Sequence, residues 1–157
     1  MNSMRVQLVN CYVAAAIDVL AKETGQPVAR AGLQLQQNPY TTEDVTAMVG
    51  VSGELAGSLY ISMSEATALG LVSLMLGQAT EEFGELAQSG IAEVANVIGG
   101  TASVALAETG CATNITPPLL LVGAGARLSS VEIQRLVVPL TTACGLINVH
   151  VALRDAA

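Results

Sequence analysis

A carboxylate and a carboxamide stand three residues apart in the stretch SGIAEVAN, at Glu93 and Asn96, just ahead of the small-residue run VIGGTAS. A carboxylate accepts hydrogen bonds and pairs with cations, while a carboxamide both donates and accepts, so together they can hold and orient a polar group. At about 100° per residue, Ser89, Glu93, Asn96, Gly100 and Ser103 share one narrow stripe of a helix. Ala87, Ile91, Val94, Ile98, Ala102 and Ala105 share the opposite one, which is expected to dock on the rest of the fold. Glu93 and Asn96 therefore face outward. Polar residues on a solvated helix face are ordinary, and that reading stays open. Against it, Asn96 and the pair Gly99 and Gly100 all weaken a helix relative to Ala, glycine by up to about 1 kcal/mol each. A stripe made only to be wet would use Glu, Lys and Gln. Gly99 and Gly100 serve either the close approach of another backbone or simple packing of the helix itself.

No self-contained catalytic set accompanies the pair. There is one histidine, no metal-ligand cluster, no G-x-S-x-G and no phosphate-cradling glycine loop. His150 shares a strand face with Asn148, opposite Ile147, Val149, Val151 and Leu153, which reads as a surface or interface residue and not as a base. Cys11, Cys111 and Cys144 lie far apart with no C-x-x-C pair, and packed, reduced thiols are expected.

The elements that must position the pair can be read from periodicity and stop signals. Residues 4 to 24 form a first helix, closed by Gly25 with Pro27 beyond. Three strand-like segments follow. RAGLQLQQ puts Ala31, Leu33 and Leu35 on one face, DVTAMVGV alternates through Val45, Ala47, Val49 and Val51, and GELAGSLYISM alternates through Leu55, Leu59, Ile61 and Met63. Ser52 and Gly53 mark a hairpin turn between the last two. Ser62-x-x-Glu65 has the form of a capping box for a second helix ending at Gly77. A third helix runs from about Leu86 to Thr109. SVEIQRLVVPL and GLINVHVAL close the chain as strands, the former either an edge strand or bulged because of Pro139. These elements add up to an α+β domain with a largely antiparallel sheet. A faint echo lays VLAKETG (19 to 25) over VALAETG (104 to 110), which sets Leu8 opposite Glu93 and Cys11 opposite Asn96.

The chain of 157 residues suits one domain, 1–157, with a core of Ala, Val, Leu, Ile and Met, since 52% of residues are hydrophobic and only 3% aromatic. Six basic residues against thirteen acidic ones, without a basic cluster, argue against nucleic acid and against an anionic membrane surface. No uninterrupted apolar run of about 18 residues and no signal-peptide pattern are present, so a cytoplasmic protein is expected.

Ser89-x-x-x-Glu93-x-x-Asn96, followed by the Pro117-Pro118 of ITPP, resembles the signature of the CheC, CheX and FliY family of chemotaxis phosphatases. That signature is Asp or Ser, three residues, Glu, two residues, Asn, then a proline a little over twenty residues on; Pro118 lies at that distance. GELAGSLYISMSEATALGLVSLMLG, the acidic connection after it and NITPP follow the order expected of the single-motif CheX branch, and Leu8 and Cys11 fit a first half that lacks the motif. The resemblance implies a CheC-like fold and hydrolysis of the phosphoaspartate of a CheY-type response regulator. It implies catalytic roles for Asn96, positioning the attacking water, and for Glu93, pairing with a lysine of the partner. Ser89, Glu93 and Gly100 would contact that partner, and Pro118 would shape the adjoining loop. No cofactor or metal is expected on this chain, because the regulator brings its own Mg²⁺. A homodimer paired through its sheets is also implied, with GLINVHVAL as the expected edge. The alternative is an adaptor that binds the regulator without hydrolysis.

Overall fold

A computed structural model describes residues 3–129 and 134–156; Ser130 to Ile133 of the expected strand SVEIQRLVVPL lie outside them. In chain order the elements are α1 (Ser3–Thr24), β1 (Ala29–Arg30), β2 (Gln34–Gln36), β3 (Tyr40–Thr41), β4 (Val45–Gly53), β5 (Leu55–Met63), α2 (Glu65–Leu76), α3 (Glu85–Glu108), β6 (Thr113–Ile115), β7 (Leu119–Val122), β8 (Arg127–Leu128), β9 (Arg135–Thr142) and β10 (Gly145–Asp155). The expected α+β architecture is what forms. Its sheet is antiparallel, in the order β1-β9-β10-β5-β4-β6, with β2 also on β9 and β7 also on β4, while β3 and β8 make a separate small ribbon.

Strict alternation builds the core. Val45, Ala47, Val49 and Val51 of β4, Leu59, Ile61 and Met63 of β5, and Ile147, Val149 and Val151 of β10 are all buried, as period-two patterning requires. The same cluster includes Val13, Ala16 and Leu20 of α1 and Ile91, Val94 and Ile98 of α3. Each fully buried Val, Leu or Ile contributes roughly 1.5–3 kcal/mol. On α3 the three anchors Ile91, Val94 and Ile98 outweigh the propensity cost of Gly99, Gly100 and Asn96, at most about 1 kcal/mol apiece.

Several sequence expectations are corrected. Ser62 does not cap α2: it is a buried residue of β5, and Ser64 is the N-cap, its hydroxyl accepting from Thr67 N at 3.1 Å, while Asp44 Oδ2 accepts from Glu65 N at 2.9 Å. RAGLQLQQ is not one strand with a buried face, because it splits into β1 and β2 and leaves Leu33 and Leu35 exposed. GLINVHVAL is not an edge: β10 lies between β9 and β5, paired along both sides. His150 is not at the surface either. It is 2% exposed, its Nε2 lies 3.1 Å from Ser62 Oγ, and its ring stacks on Tyr60 and meets Tyr40 of β3 at a centroid distance of 4.3 Å. The face of the sheet away from the helices thus has its own aromatic and polar layer, capped by the β3–β8 ribbon.

Pro139 sits at the bulged alternative. Arg30 pairs with Leu140 and Gln34 with Val137, so three residues, Ala31 to Leu33, oppose two, Val138 and Pro139. Ala31 N donates to Pro139 O at 2.8 Å. A strand residue directs its N–H and C=O to the same side, so the donor that proline lacks falls at the bulge and costs β10 nothing.

The echoed segments both end at a left-handed glycine, Gly25 at φ 65° and Gly110 at φ 89°. Their helices do not bury the same positions, however: Tyr12, Ala15 and Val19 are buried in α1, whereas Val97 and Val104 at the echoed positions of α3 are exposed and Gly100 is half-exposed.

Candidate functional site

The inward stripe of α3 is Ala87, Ile91, Val94, Ala95, Ile98, Gly99, Ala102 and Leu106, all buried. Small residues in that stripe let the helix lie close to the sheet. A Cβ at Gly99 would be in ordinary contact with Ile115 and Val49 at 3.4–3.5 Å, so Gly99 belongs to helix packing. Gly100 differs: nothing lies within 4 Å of a Cβ placed there. The two glycines, inseparable in the sequence, thus differ in surroundings: Gly99 packs against the sheet and Gly100 faces open space.

The outward stripe carries the expected residues. Ser89 and Glu93 are exposed and Asn96 is half-buried. None of the three has a side-chain hydrogen bond or ion pair among the described residues. Farther along, Ser103 Oγ accepts from Thr113 Oγ1 at 3.3 Å, tying α3 to β6. With Gly99 against Ile115 and Ser103 against Thr113, α3 and the outer strand run in opposite directions. Three extended residues span about 10 Å, the rise of six or seven helical ones, so Pro118 comes roughly level with Glu93.

Pro118 itself is half-buried in the connection between β6 and β7. Val51 pairs with Ile115 and Met48 with Leu119, so Thr116, Pro117 and Pro118 oppose only Val49 and Gly50. Thr116 holds this second bulge in place: its N–H donates to Gly50 O at 3.0 Å and its Oγ1 accepts from Gly50 N at 2.8 Å. The TPP sequence therefore fixes the backbone beside the outward stripe.

What this arrangement offers chemically is a carboxylate and a carboxamide one helical turn apart, free of partners within the described chain, on a helix whose other side is clamped. Among the described residues no group of three or more His, Cys, Asp or Glu gathers as a metal site would need. The cysteines are free and partly buried, and burial pushes all three thiols up. His150, pushed down to about 3 by burial and then by the nearby Arg135 charge, lies in the opposite layer and has no part in this stripe. Sequence reasoning put Ser103 on the outward stripe without its tie to Thr113, and passed over Thr116 and the exposed apolar residues of α3. A helical wheel extended to Leu86, Val97 and Val104 would have shown the last group. α3 also has the length and apolar composition of a membrane-crossing helix, which the search for uninterrupted apolar runs missed; here its inward apolar stripe is buried in the core.

The family model described as "Chemotaxis phosphatase CheX" matches residues 45–141. The chain is 31% identical over 134 residues to the CheY-P phosphatase CheX of Thermotoga maritima, covering 81% of this chain and 83% of that protein. Among solved structures it resembles a CheC-like superfamily protein from Shewanella sp. PV-4, with a TM-score of 0.87 at 20% identity over 99% of this chain and 100% of the other. It also resembles a chain of the CheX–CheY–BeF₃–Mg²⁺ complex from Borrelia burgdorferi, with a TM-score of 0.78 at 25% identity over 94% and 97% of the two chains.

Proposed function

The chain belongs to the chemotaxis phosphatase CheX family, and on that premise we propose that it hydrolyses the phosphoaspartate of a CheY-type response regulator. Asn96 positions the attacking water, and Glu93 pairs with a lysine of the partner. The observation that carries this reading is the outward, unpartnered Glu93–Asn96 pair on a firmly packed helix. Support also comes from the activity named for the Thermotoga relative and from the CheY bound to the Borrelia one.

The reaction needs little from this chain beyond placement. Water oxygen attacks phosphorus in line, the bond from phosphorus to the aspartyl oxygen breaks, and the products are a carboxylate, inorganic phosphate and a proton released to solvent or phosphate. The transition state spreads charge over the phosphoryl oxygens and asks chiefly for a positioned nucleophile. The Asn96 amide accepts from the water through its oxygen and turns its NH₂ toward the phosphoryl group. Glu93, one turn away, fixes the entry angle through a charge-assisted hydrogen bond. Ser89 and Gly100 line the approach, and Pro118 holds the adjoining bulge. The divalent ion that neutralises phosphoryl charge belongs to the regulator. We place this activity in the cytoplasm and expect two copies of the chain to pair through an outer strand of the sheet.

The test is loss of phosphate from phosphorylated response regulators of the same genome. Wild-type protein is expected to accelerate it for at least one regulator. Asn96→Ala should cut the rate about 100-fold or more, the usual scale for removing one positioned polar group, with binding kept. Glu93→Ala should weaken docking. An unchanged rate in Asn96→Ala would refute the water-positioning role; binding by wild type without acceleration of any regulator would make the protein an adaptor.

A further inference from the structure

We propose that Leu86, Val97 and Val104 form an apolar contact strip along α3 that selects the phosphorylated partner, a residue set separate from the pair that acts on the phosphate. The proposal rests on the phosphatase reading and specifies the partner's chemistry: an apolar border beside the lysine that meets Glu93.

These side chains are 62%, 37% and 64% exposed. Single exposed apolar residues are common and mean little. At about 100° per residue, however, Leu86 and Val104 are in line after five full turns and Val97 lies about 20° away. The line runs about 27 Å along the helix axis and passes within about 20° of Glu93, with Asn96 on its far side. A ridge of this kind, apolar beside a few polar groups, is how contact surfaces differ from merely wet ones.

Two further observations point the same way. At the positions echoed on α1, Tyr12 and Val19 are buried, so there the apolar side chains serve the core. Val97 and Val104 remain apolar without serving it. The sequence between Arg30 and Arg127 also holds nine carboxylates and no Lys or Arg, so the whole of α3 sits in a segment without a cation of its own. A partner presenting a lysine amid apolar residues is complementary to that surface, and a partner with an acidic border is repelled.

The test uses full-length protein and a regulator that wild type dephosphorylates, with rates measured over a range of regulator concentration. Leu86→Asp and Val104→Asp, at the two most exposed positions, are expected to raise KM at least tenfold while kcat stays within about twofold. Leu146→Asp, a comparably exposed leucine on β10, should leave both constants unchanged. Wild-type KM in both strip variants, while Asn96→Ala abolishes turnover, would overturn the strip and leave the phosphatase reading intact. A KM rise of the same size in Leu146→Asp would also overturn it. No turnover of any regulator by wild type would instead remove the phosphatase reading on which the strip depends.

Discussion

Glu93 and Asn96 were legible as an outward pair because helical periodicity alone decides which way a residue faces once the opposite stripe is apolar. His150 shows where that logic stops. Alternation correctly put it on the sheet face opposite Ile147 and Val149, but whether that face is wet depends on Tyr40 and Arg135, contributed by elements far from it in sequence. Their packing leaves a histidine whose folded pKa, about 3, lies below the ordinary value of 6.5 because burial and then the Arg135 charge disfavour the imidazolium. Between those two values the unfolded chain binds the extra proton. Stability is therefore fully present above pH 6.5 and falls by about 1.4 kcal/mol for each pH unit below it. From pH 7 to pH 5, His150 alone is expected to cost about 2 kcal/mol. Urea denaturation of wild type and His150→Phe across that range checks the sign: the variant should lose clearly less stability, and identical pH slopes would mean that His150 is not held neutral in the fold.

At the scale of elements, α1 and α3 came within a residue of their expected limits, because a long periodic stretch bounded by glycine leaves few alternatives. Short elements were less legible. The N-cap of α2 fell two residues late, since Ser62 and Ser64 both satisfy the capping residue type and only the end of β5 distinguishes them. Nor could sequence tell Gly99 from Gly100, as adjacent glycines look alike until the neighbouring strand is in place. The distinction gives a prediction for α3. Gly100→Ala fills open space and restores helix propensity, so it should raise the stability of the protein by up to about 1 kcal/mol. Gly100→Leu, with the same backbone benefit and a bulky side chain on the docking face, should weaken binding of the phosphorylated regulator several-fold. Calorimetric melting and titration of the two variants separate these effects, and full affinity in Gly100→Leu would show that Gly100 does not admit the partner.

For the whole molecule, the long strands β4, β5, β9 and β10 and the antiparallel class were readable, but the short strands β3, β6, β7 and β8 and the strand order were not, because order is set by which hydrophobic faces meet after the chain has turned back on itself. β10 thereby moved from an expected edge to the interior, and with it went the expected pairing surface. Among the described residues two rims remain, β1 with β2 and β6 with β7. The second flanks α3, where a regulator would dock. A second copy is therefore expected on the first, beside exposed Leu33 and Leu35. Sedimentation at micromolar concentration should give a dimer that Leu35→Asp converts to monomer with phosphatase activity retained, whereas a wild-type monomer would refute the pairing. The close seating of α3 through alanines and Gly99 has a consequence of another kind. Ordering a flexible segment on binding costs about 1–2 kcal/mol of backbone entropy per residue, but here the backbone beneath Ser89 to Asn96 is ordered when the protein folds. An encounter with a regulator would then cost the translational and rotational freedom that any association loses and a few side-chain rotamers, but no ordering of this helix, and the speed of capture would be set by collision and orientation with no wait for the helix to form.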